Sequence, residues 1–218
     1  MTGSAGPERR AAALAGVVGP SLFVGGWLLA ASRRPGYSSV HDAISQLARL
    51  GTPDRWLMTT AFVGFGIATL LFVGTLSAHL GGSRLLRAAV SLAAIATLGV
   101  AAVPLSRSGG GLEDVGHTAF ATAGYLGTAS SALLGGVLLF RQGRRRVGLA
   151  SLFLGSVSVL SLVATEFAHD VGLCQRVGLT AVDFWLAAMA LSVLLGARGR
   201  TASRVRAVSS PAPALPGG

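Results

Sequence analysis

The hydrophobic positions of this chain fall into six long, nearly uninterrupted stretches, and the charged positions collect between them. A helix needs about 20 apolar residues to cross the hydrocarbon core of a bilayer. The pattern therefore predicts an all-α, polytopic membrane helix bundle with six transmembrane helices, at residues 11–31, 57–80, 85–105, 117–140, 147–168 and 177–197. The first stretch is longer than the apolar region of about 7–15 residues in a signal peptide, so we interpret it as an uncleaved span.

The composition excludes an ordinary soluble protein. Hydrophobic residues make up 51% of the chain and charged residues only 12%, against about 25% charged residues in a typical soluble domain. The mean hydropathy is +0.64. A single cysteine, Cys174, excludes an internal disulfide and a multi-cysteine metal site.

The arginines predict the orientation. All 18 basic residues are arginines, and 12 of them lie on the side that carries both termini in a six-span arrangement, with 6 on the other side. Since an excess of basic residues marks the cytoplasmic face, we expect both termini in the cytoplasm. Residues 1–200 form one predicted membrane domain, and the Pro- and Gly-rich residues 201–218 form a predicted disordered tail. We expect a multi-pass protein of a bacterial plasma membrane, in contact with anionic lipids and not with nucleic acid.

The first outer loop contains a predicted amphipathic helix over residues 40–50. Val40, Ile44, Leu47 and Leu50 share one helical face, and the opposite side carries the polar residues, among them His41 and Ser45. Ser39 and Asp42 fit a capping arrangement at its start. His41 is a candidate general acid or base, and Ser45, one turn away, is a candidate nucleophile. The alternative for Ser45 is that it is only a polar residue on the exposed side of the helix.

Two pairs of a carboxylate and a histidine lie at the predicted outer ends of spans four and five. Asp114 with His117, and Glu166 with His169, are each spaced one helical turn apart on one face. Such pairs on neighbouring helices hold metal ions in some helical bundles. Together with Asp170, they predict an outward-facing polar cluster, and the four paired residues are our candidate ligands for a divalent metal such as zinc, iron or manganese.

Asp183 lies inside the sixth predicted span. A carboxylate in the bilayer costs about 2.5–3.5 kcal/mol on insertion scales, so we expect it to face the bundle interior and to have a partner. The candidate partners are Arg176 and a histidine of the outer cluster. For Asp183 and Glu166 alike, a purely structural ion pair is the alternative to a functional role.

The chain resembles the domain of unknown function 998 family, six-helix membrane proteins common in actinobacteria and archaea. The resemblance covers nearly the whole chain and rests on residues 36–38 (GYS), 41–47 (HDAISQL), 51–53 (GTP), 56–58 (WLM) and 172–177 (GLCQRV), with His117 and Trp185. The chain departs from the family pattern at two places. Residues 103–106 are VPLS in place of Phe-Pro-x-Asp, and residue 175 is glutamine in place of glutamate. The resemblance implies the six-helix topology and implies no activity.

Three functions are compatible with these features, and the sequence leaves open whether the protein is an enzyme. The first is a metal-assisted enzyme acting on a lipid or prenyl-type substrate at the outer leaflet, with the outer polar cluster as its site. The second is a small-molecule or proton-coupled transporter that uses Asp183 and Glu166. The third is a non-catalytic membrane sensor or accessory protein, in which the polar cluster stabilises the loops.

Overall fold

Six long helices make up most of the structure, a computed structural model that describes residues 6–208, with side chains described up to residue 196. They are α1 (Pro7–Arg33), α2 (Arg55–His79), α3 (Arg84–Ala102), α4 (Leu112–Arg141), α5 (Arg145–Ala164) and α6 (Val171–Val208). All six are long and apolar enough to cross a membrane, and residues 6–208 contain no strand. The predicted all-α bundle with six transmembrane helices is confirmed.

The helices begin and end where local chemistry directs. Pro7 occupies the first turn of α1, where its missing N–H leaves no hydrogen bond unmade. Ser83 caps α3, since its hydroxyl oxygen accepts the Leu86 N–H at 3.3 Å. α3 ends just before Val103, because a residue that precedes proline is disfavoured in the helical conformation. α6 extends past the predicted end of the sixth span, so the predicted tail begins within this helix, and residues 209–218 lie outside the described residues.

The helices form a ring in chain order. Each helix packs against the next, and α6 packs against α1 and closes the ring. Backbone hydrogen bonds connect the loops at one end: the Leu50 N–H donates to the Leu105 oxygen at 2.9 Å, and the Leu173 N–H donates to the Val40 oxygen at 2.8 Å. We call the end that carries loops 34–54, 103–111 and 165–170 the first-loop end, and residues 34–54 the first loop.

Packing inside the ring is close, and the outside is apolar. A Cβ atom on Gly148 of α5 would lie 3.0 Å from the Gly136 oxygen of α4, so the two helices need glycine there to approach. Large apolar side chains are exposed on the outer surface, including Leu71, Phe153 and Leu160, each more than 60% exposed. An apolar outer surface on long helices is what contact with lipid requires.

The helix predicted in the first loop is shorter and tighter than expected. In place of an α-helix over residues 40–50, the loop contains a 3-10 helix, Ile44–Ala48, which buries Ile44, Leu47 and Ala48. The preceding residues are not helical because donors on α6 take their backbone carbonyls. The capping arrangement predicted for Ser39 and Asp42 is also different. The Asp42 carboxylate accepts a hydrogen bond from the Ser38 N–H, at 2.8 Å.

Candidate ligand cavity

A cavity of about 80 Å³ lies inside the ring, between the 3-10 helix of the first loop and the middle of α6. Side chains from α1, α2, α3, α4 and α6 line it, and Ile44 and Ser45 of the 3-10 helix cover it at the first-loop end. The cavity is not fully enclosed. A ligand of a few atoms would therefore lie in contact with five helices at once.

Aromatic rings form most of the apolar wall. The Phe23 ring of α1 lies 5.8 Å from the Phe62 ring and 5.6 Å from the Phe65 ring, both on α2, centroid to centroid. Phe120 and Tyr125 of α4 face the same space. These tilted arrangements are favourable for aromatic pairs and fix the shape of the wall.

Asp183 is the only charged residue among the described residues that line this cavity. Its side chain is 4% exposed, and its Oδ2 atom is buried with no hydrogen-bond partner within the described part of the chain. α6 begins at Val171, so Asp183 lies roughly 18 Å along the helix axis, about three turns from the first-loop end of this helix. A buried carboxylate oxygen without a partner is unfavourable for stability, and such groups concentrate at functional sites.

Three other polar side chains of the wall, those of Thr97, Thr128 and Gln175, have backbone partners. The Thr97 and Thr128 hydroxyls donate to the Ala93 and Tyr125 carbonyl oxygens on their own helices, at 2.8 and 2.9 Å. Gln175 Oε1 accepts the Ile44 N–H at 3.0 Å. The Tyr125 hydroxyl and the Asp183 Oδ2 atom are both buried without a partner in the described structure, and Asp183 alone among the described lining residues is an acid.

A second, much smaller cavity continues past Asp183, away from the first loop. It measures about 10 Å³, the room that one water molecule needs. Phe65, Thr128 and Asp183 line both cavities, and Thr69 Oγ1 in the smaller one is buried without a partner in the described structure. Unfilled space therefore lies on both sides of the carboxylate.

The predicted pairing of Asp183 with Arg176 is wrong, because Arg176 points to the first loop. Its Nη1 donates to the carbonyl oxygens of Ser39 at 2.7 Å and Asp42 at 3.1 Å, and its Nη2 donates to the Tyr37 hydroxyl. The guanidinium also lies 4.9 Å from the centroid of the Trp27 ring. Arg176 is 7% exposed and anchors the first loop to α6.

Tyr37 completes this anchor. Its hydroxyl accepts from Arg176 and donates toward the carbonyl oxygens of Asp42 and Ala43, each at 3.1 Å. Burial raises the pKa of the Tyr37 hydroxyl above its usual value, against the opposing effect of the Arg176 guanidinium. The phenol therefore stays neutral at physiological pH and keeps its donor proton.

At the first-loop end, Asp114 and His117 hold the chain between α3 and α4. The Asp114 carboxylate accepts the Ser106 N–H at 2.7 Å, the Ser106 hydroxyl at 3.0 Å and the Gly110 N–H at 2.6 Å. His117 is 2% exposed, and its Nδ1 lies 2.7 Å from the Val103 oxygen. Both side chains thus have direct structural contacts.

The remaining predicted residues lie at the surface of the same end. His41 Nδ1 lies 2.9 Å from Asp170 Oδ1, which joins the first loop to the start of α6. Glu166 and His169 are exposed. No group of three or more histidine, cysteine, aspartate or glutamate side chains within the described residues is arranged to hold a metal ion. Of the predicted site residues, the structure places Ser45 and Asp183 at the cavity.

Sequence analysis missed the aromatic wall and Gln175. The signal that would have found the aromatic wall is depth: Phe23, Phe62, Tyr125 and Asp183 each lie about two to four turns from the first-loop end of their helices. Residues at equal depth on the helices of one ring lie in one layer. Whether their side chains also face the inside of the ring depends on the rotation of each helix about its axis, and only the packing of the helices determines that rotation.

Comparisons with known proteins give one match. A family model described as a protein of unknown function (DUF998) matches residues 17–192. No curated protein matches the chain, and no solved structure does.

Proposed function

Because this chain belongs to the DUF998 family, whose description assigns no activity, we propose its function from the cavity: it binds a small solute inside the bundle and carries it across the membrane. The observation that carries this proposal is the Asp183 carboxylate oxygen, buried without a partner in the wall of a cavity inside the helix ring. Transporters likewise place their substrate sites between helices, inside the membrane. The smaller cavity beyond Asp183 gives the site a continuation toward the other end of the bundle.

A stability screen tests whether the cavity binds solutes. The unfolding temperature of the purified protein is followed by circular dichroism against a panel of small amines, carboxylates and alcohols. A ligand at about 100 times its Kd stabilises the folded state by about 2.7 kcal/mol. We expect some panel members to raise the unfolding temperature of the parent protein, and uptake of those solutes into proteoliposomes then tests transport.

The control variants lie on α4. Ala121 lines the cavity and Ala119 is exposed, so Ala121→Leu fills the cavity while Ala119→Leu leaves it open. The stabilisation should disappear in the first variant and persist in the second. If no solute stabilises the parent, or if Ala121→Leu responds like the parent, the cavity is not a binding site and the proposal fails.

The orientation of the site belongs to the same proposal. The arginine distribution supports a first-loop end that faces outward and termini in the cytoplasm of a bacterium. In a Cys174→Ser background, a membrane-impermeant maleimide should label Leu112→Cys in intact cells and should not label Arg145→Cys. Both residues are exposed, at opposite ends of the bundle, so the reverse pattern would invert the topology.

The second candidate function is an enzyme acting on lipid or prenyl-type substrates at the first-loop end. The contact that favours it is the one between His41 and Asp170, because a carboxylate on Nδ1 orients an imidazole as a general base. Metal assistance by Asp114, His117, Glu166 and His169 stays a prediction from the sequence alone, since these side chains form no metal-binding group within the described residues. Elemental analysis of the parent and of the His117→Ala/His169→Ala variant tests it: stoichiometric metal in the parent alone supports it, and none in either excludes the metal-assisted form.

A further inference from the structure

We propose that the solute bound in the cavity is an organic ammonium ion, free or as the head of a lipid, whose charge pairs with Asp183 and whose alkyl groups contact the aromatic wall. This inference rests on the proposed function and names the chemical class of its ligand. It follows from one juxtaposition: a single carboxylate and five aromatic side chains around one cavity, with no basic side chain among the described lining residues.

Charge selects a cation. A buried carboxylate needs an opposite charge, and the nearest candidate on its own helix, Arg176, is held by the first loop. None of the other described residues that line the cavity supplies a positive charge. A cationic ligand would complete the ion pair that the protein leaves open, whereas an anionic ligand would face repulsion from Asp183.

The wall selects an organic cation over a metal ion. Alkali and alkaline-earth ions need about six oxygen ligands, and most of the residues that line this cavity offer carbon atoms alone. Phe23, Phe62 and Phe65 present ring carbons with no lone pairs. Aromatic rings bind alkylammonium ions well, because such ions are weakly hydrated and interact with the π face.

The volume selects a small head group. An apolar cavity of about 150 Å³ accepts benzene, and this one measures about 80 Å³. That is room for a methylated ammonium centre and not for a large ring system. Since the cavity is not fully enclosed, a longer chain attached to the ammonium centre can extend out of it.

The test compares choline with 3,3-dimethylbutan-1-ol, which has the same shape and no charge. Binding of each to the full chain in phosphatidylglycerol nanodiscs is measured by isothermal titration calorimetry, together with tetramethylammonium and ethylammonium. We expect choline to bind at least ten-fold more tightly than the neutral alcohol. Asp183→Asn should remove this preference, and Phe62→Ala should weaken choline several-fold while the circular dichroism spectrum stays that of the parent.

A second arm identifies the source of the ammonium group. Phosphatidylcholine in the nanodisc should compete with choline if the natural ligand is a lipid head group, and should leave choline binding unchanged if the ligand is a free solute. Either result supports the ammonium class.

Two results would overturn the inference. If the neutral alcohol binds as tightly as choline, and if Asp183→Asn changes the affinity for neither compound, the cavity binds solutes without selecting a cation. The inference is then wrong, and the proposed function is unaffected. If none of the three ammonium ions binds the parent, the ligand is not an organic ammonium ion. Failure of the proposed function itself appears in a different measurement, the response of Ala121→Leu in the stability screen.

Discussion

Replacing Asp183 by leucine should make the protein more stable while it abolishes ligand binding. The Asp183 Oδ2 atom has no partner in the described structure, so the substitution removes an unfavourable buried group and breaks no hydrogen bond at that atom. The cavities on both sides of Asp183 give a leucine side chain space. Binding sites often carry such a local loss of stability, because the group that is unfavourable in the empty protein is the one that holds the ligand.

The expected gain follows from the burial of Asp183. A polar group buried without a hydrogen bond costs about 1–3 kcal/mol in mutational data. Asp183 is 4% exposed, so nearly the whole penalty applies. We expect the free energy of unfolding to rise by about 1–3 kcal/mol in Asp183→Leu. Asp183→Asn should gain less than Asp183→Leu, because its amide removes the charge but is still polar and buried in the same place.

The assay is unfolding in mixed micelles with increasing SDS, followed by circular dichroism, for the parent and both variants. Phe184→Leu is the matched control, since the neighbouring Phe184 side chain is 66% exposed on the outside of the ring. The control should unfold like the parent. A leucine variant less stable than the parent by about 1 kcal/mol or more would show that the carboxylate makes a favourable interaction, and the reasoning from its unpartnered oxygen would be wrong.

Three further predictions concern the frame around the cavity. Arg176→Lys should lower the free energy of unfolding by about 2 kcal/mol or more and expose the first loop to proteases, because an ammonium group cannot reproduce the several hydrogen bonds of the guanidinium. Gly178→Ala should cost about 1–3 kcal/mol in SDS unfolding, since its Cβ would overlap the Tyr125 hydroxyl, whereas Gly74→Ala, with no atom within 4 Å, should cost nothing. Asp114→Asn should lower the unfolding temperature, because the amide nitrogen cannot accept the hydrogen bonds that the carboxylate receives; an unchanged temperature would contradict this role.

The helices were predictable because their cause is local. A run of about 20 apolar residues fixes a span wherever it lies in the chain, and all six spans appear. The boundaries were less accurate, since hydropathy marks the part of a helix that suits hydrocarbon, and α4 and α6 begin five or six residues earlier. These first turns carry polar residues such as Glu113 and Asp114, which a hydropathy pattern reads as loop.

The site was only partly predictable because its contacts join distant parts of the chain. Asp183 was identified because a carboxylate in an apolar stretch is unusual by itself. Of its two candidate partners, Arg176 or a histidine of the outer cluster, Arg176 meets the first loop instead, through contacts more than 130 residues apart in sequence. The same long-range contacts explain the shortened helix, since the Ile44 N–H donates to Gln175 and not along a longer helix. Proximity between such positions depends on ring closure, which local periodicity does not encode.

The anchoring of the first loop by α6 has a consequence for biosynthesis. A ribosome delivers residues 34–54 early and Arg176 only with the final helix, so the loop waits without its anchor while the intervening helices enter the membrane. The cavity also lacks Asp183 until that last insertion step, and the 3-10 helix that covers the cavity is not yet held by α6. In a nascent or truncated chain this loop thus lacks the anchor that it has in the finished protein, and proteolytic nicking within that segment would report whether the ring has closed.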